Sequence, residues 1–293
     1  MFLPVRIRYP GVAAALSATL ALSGCIGMPV NGPAATGKPA QLTPASGSFR
    51  DLVRLPPPKG KIVASVYGFR DQTGQYKPAP DSSFSTAVTQ GAGSILVKAL
   101  KDSQWFIPVE REGLQNILTE RRIIRAEGQQ EGQAQQLSPL LSASVILEGG
   151  IVGYETDVKT GGAGARYLGV GASALYRTDQ VTVNLRAVDI RSGRVLNTVS
   201  TTKAIYSYQV DINVFKFVKY KGLLEVETGF TRNEPAQLCV TDAIEAAVIH
   251  LIVQGVMDNN WALKDLEDVN SPIFRNYLAE QRGLIVEKNS GKK

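Results

Sequence analysis

The stretch from Lys203 to Thr231 alternates apolar and polar positions two residues at a time. Ala204, Tyr206, Tyr208, Val210, Ile212 and Val214 share one parity; Lys203, Ser207, Gln209, Asp211 and Asn213 share the other, with Ile205 the exception. After a knot of Phe215, Phe217, Tyr220 and Gly222 the alternation resumes, with Leu224, Val226, Thr228 and Phe230 against Glu225, Glu227 and Thr231. Successive side chains of a strand point to opposite faces, so the pattern predicts a long hairpin with one apolar and one acidic, polar side. Two placements satisfy it. A soluble antiparallel sheet buries one face and wets the other. A membrane hairpin puts one face in lipid and the other along a wet lumen, and needs about 9–11 residues per strand with aromatic residues near the interfaces.

The same grammar recurs upstream. Val152, Tyr154, Thr156, Val158 and Thr160 alternate with Gly153, Glu155, Asp157 and Lys159, and after a glycine-rich turn Leu168, Val170, Ala172, Ala174 and Tyr176 alternate with their neighbours. Around these arms lies an α/β pattern. Lys61 to Phe69, Trp105 to Val109, Ala143 to Ile151 and Val181 to Ile190 read as strands. Phe84 to Lys101 and Glu110 to Ile123 carry helical spacing, with a helical turn at Ser138 to Leu141, and helices are expected on one face of the sheet. Asn233-Glu234-Pro235 opens a further helix with the apolar stripe Val240, Ile244, Val248, Leu251, Ile252 and Gly255; Asp242, Glu245 and His250 argue against a membrane-spanning reading of it. A peripheral helix around Pro272 to Gln281 and a basic tail follow.

At the N-terminus Arg6 and Arg8 precede the apolar run Gly11 to Leu22, too short to span a bilayer and built like an export signal. Leu22-Ser23-Gly24-Cys25 resembles the bacterial lipobox, which implies cleavage after residue 24 and acylation of Cys25; Ile26 rather than Asp at the next position implies transfer to the outer membrane. Several acyl chains at one residue suffice for stable anchoring. Met28 to Phe49 is rich in Pro, Gly, Ala, Ser and Thr and reads as an extended tether, stiffened by Pro56-Pro57-Pro58.

Composition narrows the chemistry. The formal charge of +6 falls to +4 when Arg6 and Arg8 leave with residues 1–24, and no Lys/Arg run suggests nucleic acid. With Cys25 acylated, Cys239 alone remains, so no intrachain disulfide forms and Cys239 is expected as a small core residue. His250 is the only histidine, and no Cys/His/Asp cluster of metal spacing surrounds it. Gly169-Val-Gly171-Ala-Ser-Ala174 fits a loose dinucleotide fingerprint, but no helix follows it. The sequence predicts no enzyme, no metal and no cofactor.

The lipobox, KIVASVYGFRDQTGQYKP, FSTAV, ALKDSQWFIPVEREGLQNILTERRIIRA, GGAGARYLGVGA and NEPAQLC occur in the order in which the CsgG family of curli secretion channels carries them. From Asp51 to about Trp261 the chain resembles that family. The resemblance implies residues 1–24 as lipoprotein signal, 25–60 as lipidated Cys25 and tether, 61–151 with 181–200 and 232–293 as a periplasmic α/β domain, and 152–180 and 201–231 as two transmembrane hairpins. It implies a homo-oligomer of about nine protomers whose hairpins close one barrel, since four strands per protomer reach the about 36 of the largest barrels. Unfolded curlin-type cargo would pass without a nucleotide, a periplasmic adaptor would cap the vestibule, and a surface accessory protein would act outside. The implied lipid-facing positions are Tyr206, Tyr208, Val210, Ile212, Leu224, Val226 and Phe230; Asp211, Asn213, Glu225 and Glu227, with Glu155 and Asp157, would give the lumen a cation-favouring lining. The family's constriction aligns with Ala79, Ser83 and Phe84, of which Phe84 alone keeps the family's residue type, so a wider or differently selective collar is expected. The alternative is a lipid-anchored periplasmic scaffold for an envelope assembly complex.

Overall fold

The structure is a computed structural model and describes residues 42–77, 85–130, 137–161, 174–211, 214–218 and 234–290. Met1–Pro44 and Ala45–Lys293 are separate units; of the first, only 42–44 are described, without regular structure. Cys25, Ala79, Ser83, Phe84, Ile212, Asn213, Leu224, Glu225, Val226, Glu227 and Phe230 lie outside the described residues.

The body is a mixed α/β fold on a single sheet. A one-turn helix α1 (Phe49–Leu52) leads into β1 (Ile62–Val66), the two-residue β2 (Arg70–Asp71), α2 (Ala92–Asp102), β3 (Phe106–Val109) and α3 (Leu114–Gln130). Three long strands follow, β4 (Val145–Gly161), β5 (Ala174–Asp189) and β6 (Val195–Asp211), then β7 (Val214–Val218), α4 (Glu234–Met257), a 3₁₀ turn at Leu266–Asn270 and α5 (Pro272–Ser290). The sheet order is β3-β1-β4-β5-β6-β7, with β2 pairing β4 off this path. β3, β1 and β4 are parallel; β4, β5, β6 and β7 are antiparallel. β3 is the edge and carries Pro108.

One parity of the sheet is buried: Val145, Leu147 and Ile151 on β4, Val181, Val183, Leu185 and Ala187 on β5, Val199 on β6. Helix α4 covers it, packing on β5 and β6 and in turn against α1, α2 and α5. By length and composition α4 could cross a membrane, contrary to the sequence reading, but 67% of that window is buried in the body. Its apolar residues therefore serve the core, with Val240, Ile244, Val248, Leu251 and Ile252 fully buried. The opposite parity is polar. Arg186 Nη2 meets Glu148 Oε2 at 2.7 Å, and Thr182 and Thr202 hydroxyls lie 3.0 Å apart.

Several boundaries differ from expectation. The helix expected from Phe84 begins at Ala92, because Ser85–Ala87 belongs to a β-like limb in which Thr86 bridges Tyr76. The turn expected at Ser138–Leu141 has no regular structure; Arg121 and Arg111 donate to the Ser138 and Leu141 carbonyls. Helix α3 runs on to Gln130. Of the knot read after Val214, Phe215 and Phe217 belong to the return strand β7, in register with β6 from Tyr206↔Val218 to Asp211↔Val214, and Tyr220 and Gly222 lie outside the described residues; β6, the first arm of the second hairpin, ends at Asp211. The tether is shorter than expected: Leu52 is fully buried, and Trp105 Nε1 donates to Pro56 O at 2.8 Å.

Candidate channel loop and hairpin bases

The constriction expected from the sequence belongs to a loop whose two limbs are described. It leaves β4's flank through β2, where Gln72 N donates to Ile151 O at 2.9 Å and Gln72 Nε2 to Gly149 O at 3.1 Å. Glycine at 150 is required there, since a Cβ would sit 2.3 Å from Arg70 O. At Asp71 the chain turns. Oδ1 accepts the Thr73 N–H at 2.8 Å and the Thr73 hydroxyl at 2.7 Å, an Asx-type turn, and Gly74 follows at φ +64°. Asp71 Oδ2 accepts Gln90 Nε2 at 3.1 Å from the returning limb. Between these feet the limbs pair: Lys77 N donates to Ser85 O and Ala87 N to Gln75 O, both at 2.8 Å. Tyr76 is 60% exposed, and Val88 is the limbs' one apolar residue sunk in the core, at 3%.

At the base of the first hairpin Asp179 points into the core, fully buried. Its Oδ1 accepts the Tyr154 hydroxyl at 2.9 Å and the Thr156 hydroxyl at 2.8 Å, so it clasps β4 to β5. Cys239 Sγ donates to Asp179 O at 3.4 Å. Burial, with the Asp179 charge adding, pushes the Cys239 thiol up to about 12, which keeps it protonated and inert. The signal for Asp179 was available: it has the parity of Val181, Val183 and Leu185.

At the base of the second hairpin Asp242 of α4 pairs with Lys203 and accepts the Ser48 N–H at 2.7 Å. Burial would raise the Asp242 carboxyl, but the Lys203 and Ser48 bonds together outweigh it and hold it below its ordinary value. One turn on, Glu245 accepts the Ser46 hydroxyl. Burial pushes that carboxyl up, against the Ser46 bond. The start of the body and the foot of β6 thus meet on one pair of carboxylates, which sequence reading took only as interruptions of an apolar helix. His250, the only histidine, packs its ring 4.8 Å from that of Tyr277 in an edge contact.

The family model described as curli production assembly/transport component CsgG matches residues 46–280. Curli production assembly/transport component CsgG of Salmonella typhimurium is 49% identical over 267 residues, covering 89% of this chain and 95% of the relative. The protein of the same description from Escherichia coli K12 is 48% identical with the same coverage. This chain belongs to the CsgG family. Among solved structures, protein XCC0632 of Xanthomonas campestris aligns at a TM-score of 0.35 and 12% identity over 71% of this chain and 93% of its own, too distant to inform the fold. In this CsgG family chain the backbones of Tyr206, Tyr208, Val210 and Asp211 fall in β6, and Glu155 is exposed on β4. The loop limbs, Asp179 and Asp242 all lie within the matched residues.

Proposed function

We propose that this chain is one protomer of a ring-shaped outer-membrane channel that passes unfolded curli-type polypeptides from periplasm to cell surface. In this reading residues 1–24 are a signal and Cys25 is acylated. Residues 152–180 and 201–231 are lipid-crossing hairpins. Ala79, Ser83 and Phe84 form the collar, with Phe84 its remaining aromatic ring. Tyr206, Tyr208, Val210, Ile212, Leu224, Val226 and Phe230 face lipid; Asp211, Asn213, Glu225 and Glu227 face the lumen. About nine copies close the barrel, and the periplasmic adaptor and surface accessory protein of the curli system are its partners.

The supporting observation is that β4, β5 and β6 run 17, 16 and 17 residues without a break, far beyond the core that needs them. Core burial on β4 ends near Tyr154. Residues 155–161 extend further by about 23 Å at about 3.3 Å per residue. Tilted by about 40°, that length covers about 18 Å of the roughly 25 Å height of a barrel's apolar band. A four-strand protomer cannot close a barrel, and lipid tolerates no open sheet edge, so this reading requires a ring.

The full-length lipidated protein, extracted in detergent and placed in a planar bilayer, is expected to give a large, steady conductance that Phe84→Ala increases. Cysteine scanning from Ala204 to Asp211 is expected to give alternating protection from aqueous thiol reagents. No conductance from assembled rings, together with uniform labelling, would replace the channel by an anchored scaffold.

A further inference from the structure

We propose that Asp71 is the positioning residue of the channel loop: its single carboxylate takes hydrogen bonds from both limbs and so fixes the spread of the loop toward the channel axis. The inference rests on the reading of that loop as the collar.

Burial does little to hold the described limbs. Gly74, Gln75, Tyr76 and Gln90 are exposed, and Thr73, Lys77 and Ser85 to Ala87 are only half-buried. Val88 anchors the returning limb by burial; the outgoing limb has no buried residue from Thr73 to Lys77. Its position is therefore set by hydrogen bonds. The ladder from Lys77 to Ser85 and from Ala87 to Gln75 ties the limbs to each other but not to the body. Asp71 does both. It stands on β2, which is fixed to β4 through Arg70↔Gly150 and Asp71↔Ile151, and it holds Thr73 on one side and Gln90 on the other. Gln90 immediately precedes Gly91 and the start of α2, so the bond also relates the loop to the helix layer. Each such bond lost lowers the ratio of docked to undocked limb about fivefold.

The donor pattern gives a specific test. A carboxylate accepts at both oxygens, whereas an amide accepts at one and donates at the other. Asp71→Asn keeps the Thr73 bonds and removes the charge, and it keeps the Gln90 bond as well, because the exposed Gln90 amide turns its Oε1 toward the new Nδ2. Gln90→Leu loses that bond and leaves every charge in place. Asp71→Asn with Gln90→Glu reverses donor and acceptor and keeps the bond. In rings of the full-length lipidated protein in a planar bilayer, the expected result is a shifted mean conductance and severalfold higher open-channel noise for Gln90→Leu, with the parent values kept in Asp71→Asn and in the reversed pair. Ring yield in detergent is expected to be unchanged.

Phe84→Ala is run alongside. Were Phe84→Ala silent, the collar reading would fall and the Asp71 inference with it. If Phe84→Ala shifts the conductance while Gln90→Leu does not, Asp71 does not position the collar, although the collar stands. Failure of Asp71→Asn or of the reversed pair to keep the parent values, or loss of ring formation with Gln90→Leu, also overturns the inference, because Asp71 would then act through net charge or folding.

Discussion

His250 shows how much one side chain on α4 decides. Burial holds its imidazole below its ordinary value, and the nearby Glu280 carboxylate, 3.6 Å from Nε2, opposes this only in part. Gln281 Nε2 lies 3.3 Å from Nδ1 and the Tyr277 ring closes the remaining side. A histidine depressed in the folded state costs nothing above about pH 6.5, and stability is lost as the pH falls from there through the folded value. The docking of α5 on α4 is therefore expected to weaken in mild acid. Protection along Ile273–Tyr277, after correction for the intrinsic pH dependence of exchange, should fall as the pH drops below about 6.5, and His250→Leu should remove that dependence. Asp242 has the sign of a stabilising carboxylate, with a contribution present at neutral pH and lost as pH falls through its lowered value; Glu245, raised, has the reverse sign. Residue type alone could not separate these two, because α4 carries both amid apolar neighbours and only the partners Lys203, Ser48 and Ser46 distinguish them.

Among the elements, the strands were the most legible. Val181 to Ile190 read as a strand, and its buried positions, Val181, Val183, Leu185 and Ala187, alternate as a strand's must. What the alternation could not give was pairing. Phe215 and Phe217 read as part of a knot because they break the apolar parity that ends at Val214, whereas the ladder to β6 places both in the strand β7. The early start expected for α2 failed for a related reason: Val88 has helical spacing with Ala92 but is buried from a β-like limb. Asp71, Thr73 and Gly74 carried a turn signal, yet Gln90, the second foot, is 19 residues away and no local pattern joins them. β2 itself, two residues long, has room beside β4 because of Gly150. Gly149 serves the other side: a Cβ there, at φ +150°, would lie 2.0 Å from Asn184 O of β5. Gly150→Ala is expected to push β2 off β4, to cost about 1–3 kcal/mol in thermal unfolding, and to expose the Gln72 N–H to exchange.

On the scale of the molecule, the folded body starts earlier than residue 61. Leu52 and Leu55 are buried, Lys59 N donates to Ala262 O at 2.9 Å and Lys264 N to Pro57 O at 2.9 Å. A chain beginning at Ala45 is expected to melt as the lipid-free full body does. One beginning at Lys61 should lose about 3–6 kcal/mol from the two leucines alone, read by circular dichroism on heating. The Pro/Ser/Gly composition that suggested a tether hid this, because two leucines in a polar stretch give no periodic signal, and α4, which packs on α1, comes from the far end of the chain.

The edge strand β3 carries a last consequence. It has four residues, and Pro108 offers no N–H to a neighbour. In the channel proposed above, a passenger that polymerises strand upon strand would meet, along this border, only a short run with a gap in its donors, a poor template on which to seed growth.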